Sequence, residues 1–117
     1  MRHVTIQPDA TETKPLTEPV LLILMSLAEG PRHGYALIKD IETLSNGRVR
    51  LSTGTLYGAL RRLLKGRWIA RFEQEDKSRE KQAYKLTPVG HKQLEMELDR
   101  MKRLTRKAEA RLRARHA

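Results

Sequence analysis

Residues 51–66, LSTGTLYGALRRLLKG, decide how the chain is read. At helical periodicity Leu56, Ala59, Leu60, Leu63 and Leu64 form one apolar stripe. Ser52, Thr53, Thr55, Tyr57, Arg61, Arg62 and Lys65 lie off it, and no acid stands among them. Ser52 or Thr53 can cap this helix by accepting a first-turn N–H, and Gly66 marks its stop. Gly54 and Gly58 each lower helix propensity by up to about 1 kcal/mol, so something other than intrinsic preference keeps them. Close approach of the backbone to another surface is one such reason.

Upstream, residues 1–17 hold Pro8 and Pro15 without apolar periodicity and read as a flexible arm. Thr17 before Glu18-Pro19 is an N-cap followed by first-turn residues. PVLLILMSLAEG is apolar on nearly all sides, as befits a central helix over 18–29, and Gly30-Pro31 ends it. HGYALIKDIETLSNG reads as a second helix, with Tyr35, Leu37, Ile38, Ile41 and Leu44 on the buried side and Lys39, Asp40 and Glu42 on the wet side. Asn46-Gly47 closes it with a turn, and Val49 and Leu51 around Arg50 fit a very short strand.

Downstream, the period shortens. WIARFEQ and KQAYKLT read as the strands of a hairpin around the charged turn EDKSRE, with Trp68, Ile69, Phe72, Tyr84 and Leu86 as packing residues. Thr87-Pro88 opens a long last helix. Its apolar positions Leu94, Leu98, Met101, Leu104, Ala108 and Leu112 recur at steps of three and four, as in a coiled-coil seam. The fold class is mainly α with a small β-hairpin: a winged helix-turn-helix over residues 18–87, followed by a C-terminal dimerisation helix with a basic tail over 88–117.

A chain of 117 residues makes one small domain, and a partner subunit is a natural cover for surface that so small a core leaves exposed. No cysteine is present, which excludes disulfides and thiolate metal sites. His3, His33, His91 and His116 form no pair at ligand spacing, so neither a metal nor another cofactor is expected. The longest apolar run, Val20 to Met25, is far short of a membrane span, and the N-terminal stretch lacks a signal-peptide pattern. A soluble cytoplasmic protein without a membrane partner is expected.

The net charge of +10 is placed unevenly. Residues 1–49 carry five Lys/Arg against six acids, so all the excess lies in residues 50–117. Such asymmetry fits a polyanionic partner, with nucleic acid such as double-stranded DNA ahead of a membrane surface, and equally a merely soluble basic surface. In the DNA reading, Ser52, Thr53 and Thr55 sit where first-turn N–H groups and the helix dipole favour phosphate. Tyr57 offers a ring and a hydroxyl, Arg61 and Arg62 reach phosphate or guanine, and Gly58 permits close approach. Lys77, Ser78, Arg79 and Lys81 cluster at the hairpin turn for phosphate neutralisation. The plainer alternatives are a cap for Ser52 or Thr53, core packing for Tyr57, surface ion pairs for Arg61 and Arg62, and a mixed solvated turn for the wing.

LLILMSLAEGPRHGYALIKDIE, LSTGTLYGALRRLL, WI and YKLTPVGHKQLE together resemble the PadR family of bacterial transcriptional regulators over residues 20–96. The joint pattern of HGY with a following Leu-Ile pair, GTLY, and YxLTxxG after a hairpin is what carries the resemblance. The single final helix is similar to the smaller PadR subfamily. The resemblance implies a homodimeric DNA-binding repressor whose last and first helices form the dimer interface, released by a ligand or a stress signal. It puts recognition on Ser52, Thr53, Thr55, Tyr57, Gly58 and Arg61, the wing on Lys77, Arg79 and Lys81, and dimerisation on Leu94, Leu98, Met101 and Leu112.

A protein-binding winged helix, or a basic module that holds nucleic acid without sequence choice, is the rival class, and salt dependence separates them. No enzyme is expected, because no nucleophile has a neighbouring base and no Walker or Rossmann glycine pattern occurs. Trp68, Phe72 and Met101 are expected mainly to pack, with a pocket for a small hydrophobic or aromatic effector as their alternative role.

Overall fold

Thr17 opens the first helix as expected, its side-chain oxygen accepting from Val20 N at 3.4 Å. The computed structural model describes residues 15–72 and 82–116. They form α1 (Glu18–Glu29), β1 (Arg32–His33), α2 (Gly34–Leu44), α3 (Thr53–Lys65), β2 (Ile69–Phe72), β3 (Ala83–Leu86) and α4 (Pro88–His116). The wing turn, with Lys77, Ser78, Arg79 and Lys81, falls outside the described residues, as does the arm up to residue 14.

Both helix-turn-helix segments end by the same device. After α2, Gly47 N donates to Glu42 O at 2.7 Å and Asn46 N to Thr43 O at 3.1 Å. After α3, Trp68 N donates to Leu63 O and Arg67 N to Leu64 O, each at 3.0 Å. This pair of bonds is the Schellman motif, which satisfies the last carbonyls and needs a left-handed residue just past the helix. Asn46 (φ 54) supplies it after α2, and Arg67 (φ 64) after α3. The sequence signal Gly66 therefore lies one residue before the position that needs a glycine.

The sheet is antiparallel in the order β1-β3-β2, with Arg32 opposite Tyr84 on one side and Arg71 opposite Tyr84 on the other. The third strand is thus Arg32–His33, and the expected strand at 49–51 is absent. Val49 and Leu51 instead pack against the core from an irregular segment, and Ser45 Oγ accepts from Val49 N at 2.9 Å. That bond is local, which keeps the segment from pairing with a strand.

Leu22, Ile23, Leu24 and Leu27 of α1, Leu37 and Ile41 of α2, Leu56, Ala59, Leu60 and Leu63 of α3, Ile69, Tyr84 and Leu94 make one buried cluster. Three residues expected in it are exposed. Tyr35 (70% exposed) lies on the surface near Lys39, whose Nζ is 5.8 Å from its ring, while Leu44 ends α2 and Phe72 ends β2. The last two stand where an element leaves the core, so their periodic position no longer faces it. Ser26, buried in α1, donates to Asp40 Oδ2 at 2.5 Å, and Arg32 Nε donates to Ser26 O at 3.1 Å, tying α1, β1 and α2 together.

Thr87 joins the sheet to α4. Its N–H donates to Trp68 O at 3.0 Å, and its side chain caps the helix by accepting from Gly90 N at 3.0 Å. Leu94 and Glu97 are buried against the body, whereas residues 101–115 are exposed throughout. Leu94 therefore belongs to the chain's own core and not to the exposed stripe of α4. The 29 residues of α4 span roughly 43 Å, and its outer half stands free of the body.

Candidate nucleic-acid interface

Ser52, not Thr53, caps α3: its Oγ accepts from Thr55 N at 3.1 Å and lies 3.0 Å from Thr55 Oγ1. The helix sinks Leu56, Ala59, Leu60 and Leu63 into the core. That burial turns the opposite side outward, where Thr53, Gly54, Thr55, Arg61, Arg62 and Lys65 are exposed. With Gly58 between them, Gly54, Thr55, Arg61, Arg62 and Lys65 follow one another at helical spacing and make a continuous stripe. The stripe has hydroxyls at the positive end of the helix dipole and only cations at the other, where they also complement the dipole.

The two glycines lie within this stripe, and no contact among the described residues explains them. A β-carbon at Gly54 would meet no atom within 4 Å, and at Gly58 it would meet only Arg62 Nη1 at 3.9 Å.

Tyr57 departs from the stripe. It is half-buried, packs against the core, and lies directly over Gly34 at the start of α2. With Tyr84 it forms the aromatic floor of a cavity of about 300 Å³ between α3 and the sheet, whose rim carries Arg61, Arg71 and Gln82. Among the described residues neither Arg61 nor Arg71 is in an ion pair. Arg71 and Gln82 are candidate site residues, lining this cavity, that the sequence reading missed. Their signal was the hairpin register, which sets Arg71 opposite Tyr84 on the face toward α3. Trp68, Phe72 and Met101 line no part of this cavity: Trp68 packs on the core, and Phe72 and Met101 are exposed.

On α4, Leu98, Met101, Leu104 and Leu112 are exposed along one side. Beneath them Glu97 is buried, accepting from Arg100 Nε and Nη2 at 2.8 and 2.7 Å and from Leu16 N at 3.3 Å. The Arg100 hydrogen bond holds the Glu97 carboxyl below its ordinary pKa, outweighing burial, which pushes it up. Among the described residues no cluster of His, Asp or Glu could hold a metal, and no helix is long and apolar enough to cross a membrane.

Comparison with known proteins agrees with this geometry. A 37.1 kDa protein of transposon TN4556 from Streptomyces fradiae is 41% identical over 85 residues, which cover 73% of this chain and 23% of that protein. A transcriptional regulator from Clostridium thermocellum superposes with a TM-score of 0.65 at 27% identity, covering 79% of this chain and 89% of that one. A PadR family transcription regulator from Clostridium difficile shares the fold with a TM-score of 0.67 at 22% identity, covering 82% of this chain and 99% of that one. The transcriptional regulator PadR-like family matches residues 23–96. With its winged helix-turn-helix and that match in hand, the chain belongs to the PadR-like family of transcriptional regulators.

Proposed function

We propose that this regulator works in the cytoplasm as a homodimeric repressor, placing α3 in the major groove of each half of a pseudo-palindromic operator. The observation that carries the reading is the pair of unexplained glycines in the outward stripe of α3. Each costs helix stability, and each removes a side chain where a duplex would come close. Ser52, Thr53 and Thr55 would meet phosphates at the helix start, while Arg61 and Arg62 would reach phosphates or guanine. Tyr57 would contribute mainly by fixing the tilt of α3 against α2, with its ring edge toward the duplex. Lys77, Ser78, Arg79 and Lys81 would neutralise phosphates beside the groove.

The exposed row of Leu98, Met101, Leu104 and Leu112 supports pairing of two α4 helices across a two-fold axis. Such a dimer reads half-sites about one helical turn, roughly 34 Å, apart. Repression then follows from occlusion of a promoter, and a small hydrophobic or aromatic effector or a stress signal ends it.

Selection of bound duplexes from a random-sequence DNA pool at moderate salt tests this reading. A two-fold symmetric site is expected to be enriched, and Arg61→Ala to weaken that site more than unrelated DNA. A pool that binds without enrichment would assign the protein to nonspecific coating instead.

A further inference from the structure

The outer half of α4 is more basic than a dimerisation seam requires. Between Met101 and His116 it carries Lys102, Arg103, Arg106, Lys107, Arg111, Arg113 and Arg115 against one acid, Glu109. All seven are exposed, and among the described residues none is in an ion pair. They are not spread evenly around the helix. Arg103, Lys107 and Arg111 follow at four-residue steps, about 6 Å of rise each, on a ridge that starts opposite the apolar stripe at Arg103 and winds to its edge at Arg111, about 20° around the helix from Leu104. Lys102, Arg106 and Arg113 form a second ridge, broken by Glu109.

Like charges four residues apart oppose helix formation, and this part of the helix has no packing against the body to offset them. A rigid row of cations on an otherwise unsupported helix is matched by a polyanion with regularly spaced charge. Pairing of the apolar stripes would leave Arg103, Lys107 and the second ridge facing solvent, with Arg111 at the rim of the seam.

We infer that the basic ridges of the outer half of α4 are a second DNA-binding surface, which holds backbone phosphates beside the operator without reading sequence. This rests on the DNA-binding reading of α3, because the duplex held by α3 is the polyanion brought near. Guanidinium and ammonium groups on a solvated helix reach phosphate oxygens but present no fixed geometry to base edges. The surface therefore adds affinity equally on every sequence.

The full-length protein is compared with the triple variant Arg103→Gln, Lys107→Gln, Arg111→Gln by fluorescence anisotropy. A 40-base-pair duplex of unrelated sequence and the selected operator are each titrated over a salt series. The slope of log affinity against log salt should shrink by about 0.9 for each phosphate that is no longer neutralised, by the same amount on both duplexes. Substitution by lysine at positions 103 and 111 should restore the wild-type slope, and light scattering should show an unchanged mass.

Equal slopes for wild type and triple variant, with DNA bound by both, would overturn the second surface while leaving the α3 reading intact. Absence of DNA binding by the wild type would overturn both. A weakening confined to a single-stranded RNA probe, with duplex binding unchanged, would overturn it in favour of an RNA-holding tail.

Discussion

Tyr57 lies over Gly34 so closely that a β-carbon at position 34 would fall 2.9 Å from Tyr57 Cζ, and nearer still to its hydroxyl. The start of α2 and the middle of α3 are locked at this point. Gly34→Ala should therefore push the two helices apart and destabilise the fold by about 1–3 kcal/mol. In a Tyr57→Leu background the same substitution should cost clearly less. Thermal melts of the four proteins measure this coupling, and additive losses would show that the ring of Tyr57 is not what constrains Gly34.

Gly58→Ala separates stability from recognition. The site has open space, so the folded chain should gain up to about 1 kcal/mol of helix propensity. DNA affinity should fall at the same time, because the new methyl group projects from the outward stripe of α3. A variant that melts higher and binds the operator as tightly as the wild type would remove α3 from the interface.

Arg67 holds a left-handed conformation (φ 64) in the turn between α3 and β2. Such a backbone strains a residue with a β-carbon by about 1–2 kcal/mol, partly offset by the greater unfolded-state freedom of glycine. Arg67→Gly is expected to stabilise the protein by about 0.5–1 kcal/mol in denaturant titrations. Its side chain is exposed, so no packing is given up.

Glu97 makes the fold sensitive to acid. Its carboxyl loses a proton more readily in the folded chain than at the ordinary value of 4.5, first because of Arg100 and, more weakly, Leu16 N. The charged carboxylate thus favours the native state. The stabilisation is fully present above pH 4.5 and is lost as pH falls through the lower folded value. Urea midpoints measured from neutral pH down to about pH 3 should fall less steeply for Glu97→Gln than for the wild type, with the variant weaker at neutral pH.

Leu98 is 38% exposed, so its replacement removes little from the chain's own core. Leu98→Asp should halve the mass seen by light scattering and sharply weaken operator binding, with the melt of the monomer nearly unchanged. A mass equal to that of the wild type would move the dimer seam elsewhere.

The helices were legible because each carries its own punctuation. Thr17, Gly30-Pro31, Asn46-Gly47, Ser52 and Thr87-Pro88 are local chemical signals and need no knowledge of the fold. Arg32–His33 was not legible as a strand, since two polar residues have no alternation and are extended only because Tyr84 and Ala83 lie beside them. Val49 and Leu51 misled for the converse reason: they alternate, but their neighbour is a core and not a strand. In the candidate site, the cap and the cations of α3 could be read directly. Arg71, Gln82 and the seat of Tyr57 over Gly34 depend on how a sheet and two helices come together, which no short stretch encodes. Tyr35 and Leu44 fit the apolar period yet end on the surface, because a period gives direction around a helix but not the extent of what packs against it.

The hydrogen bond from Leu16 to Glu97 joins residues 81 apart in the chain. Helix α1 is the most apolar element, and part of its packing surface is α4, which is synthesised after every other element described. While the ribosome is still translating the middle of the chain, α1 has left the exit tunnel but cannot yet be covered. Closure across so long an interval is entropically slow compared with the formation of α2 or α3. The nascent chain therefore passes through a stage with a sticky segment ahead of α2, a natural target for a ribosome-associated chaperone, and native packing of α1 is completed only once α4 has emerged.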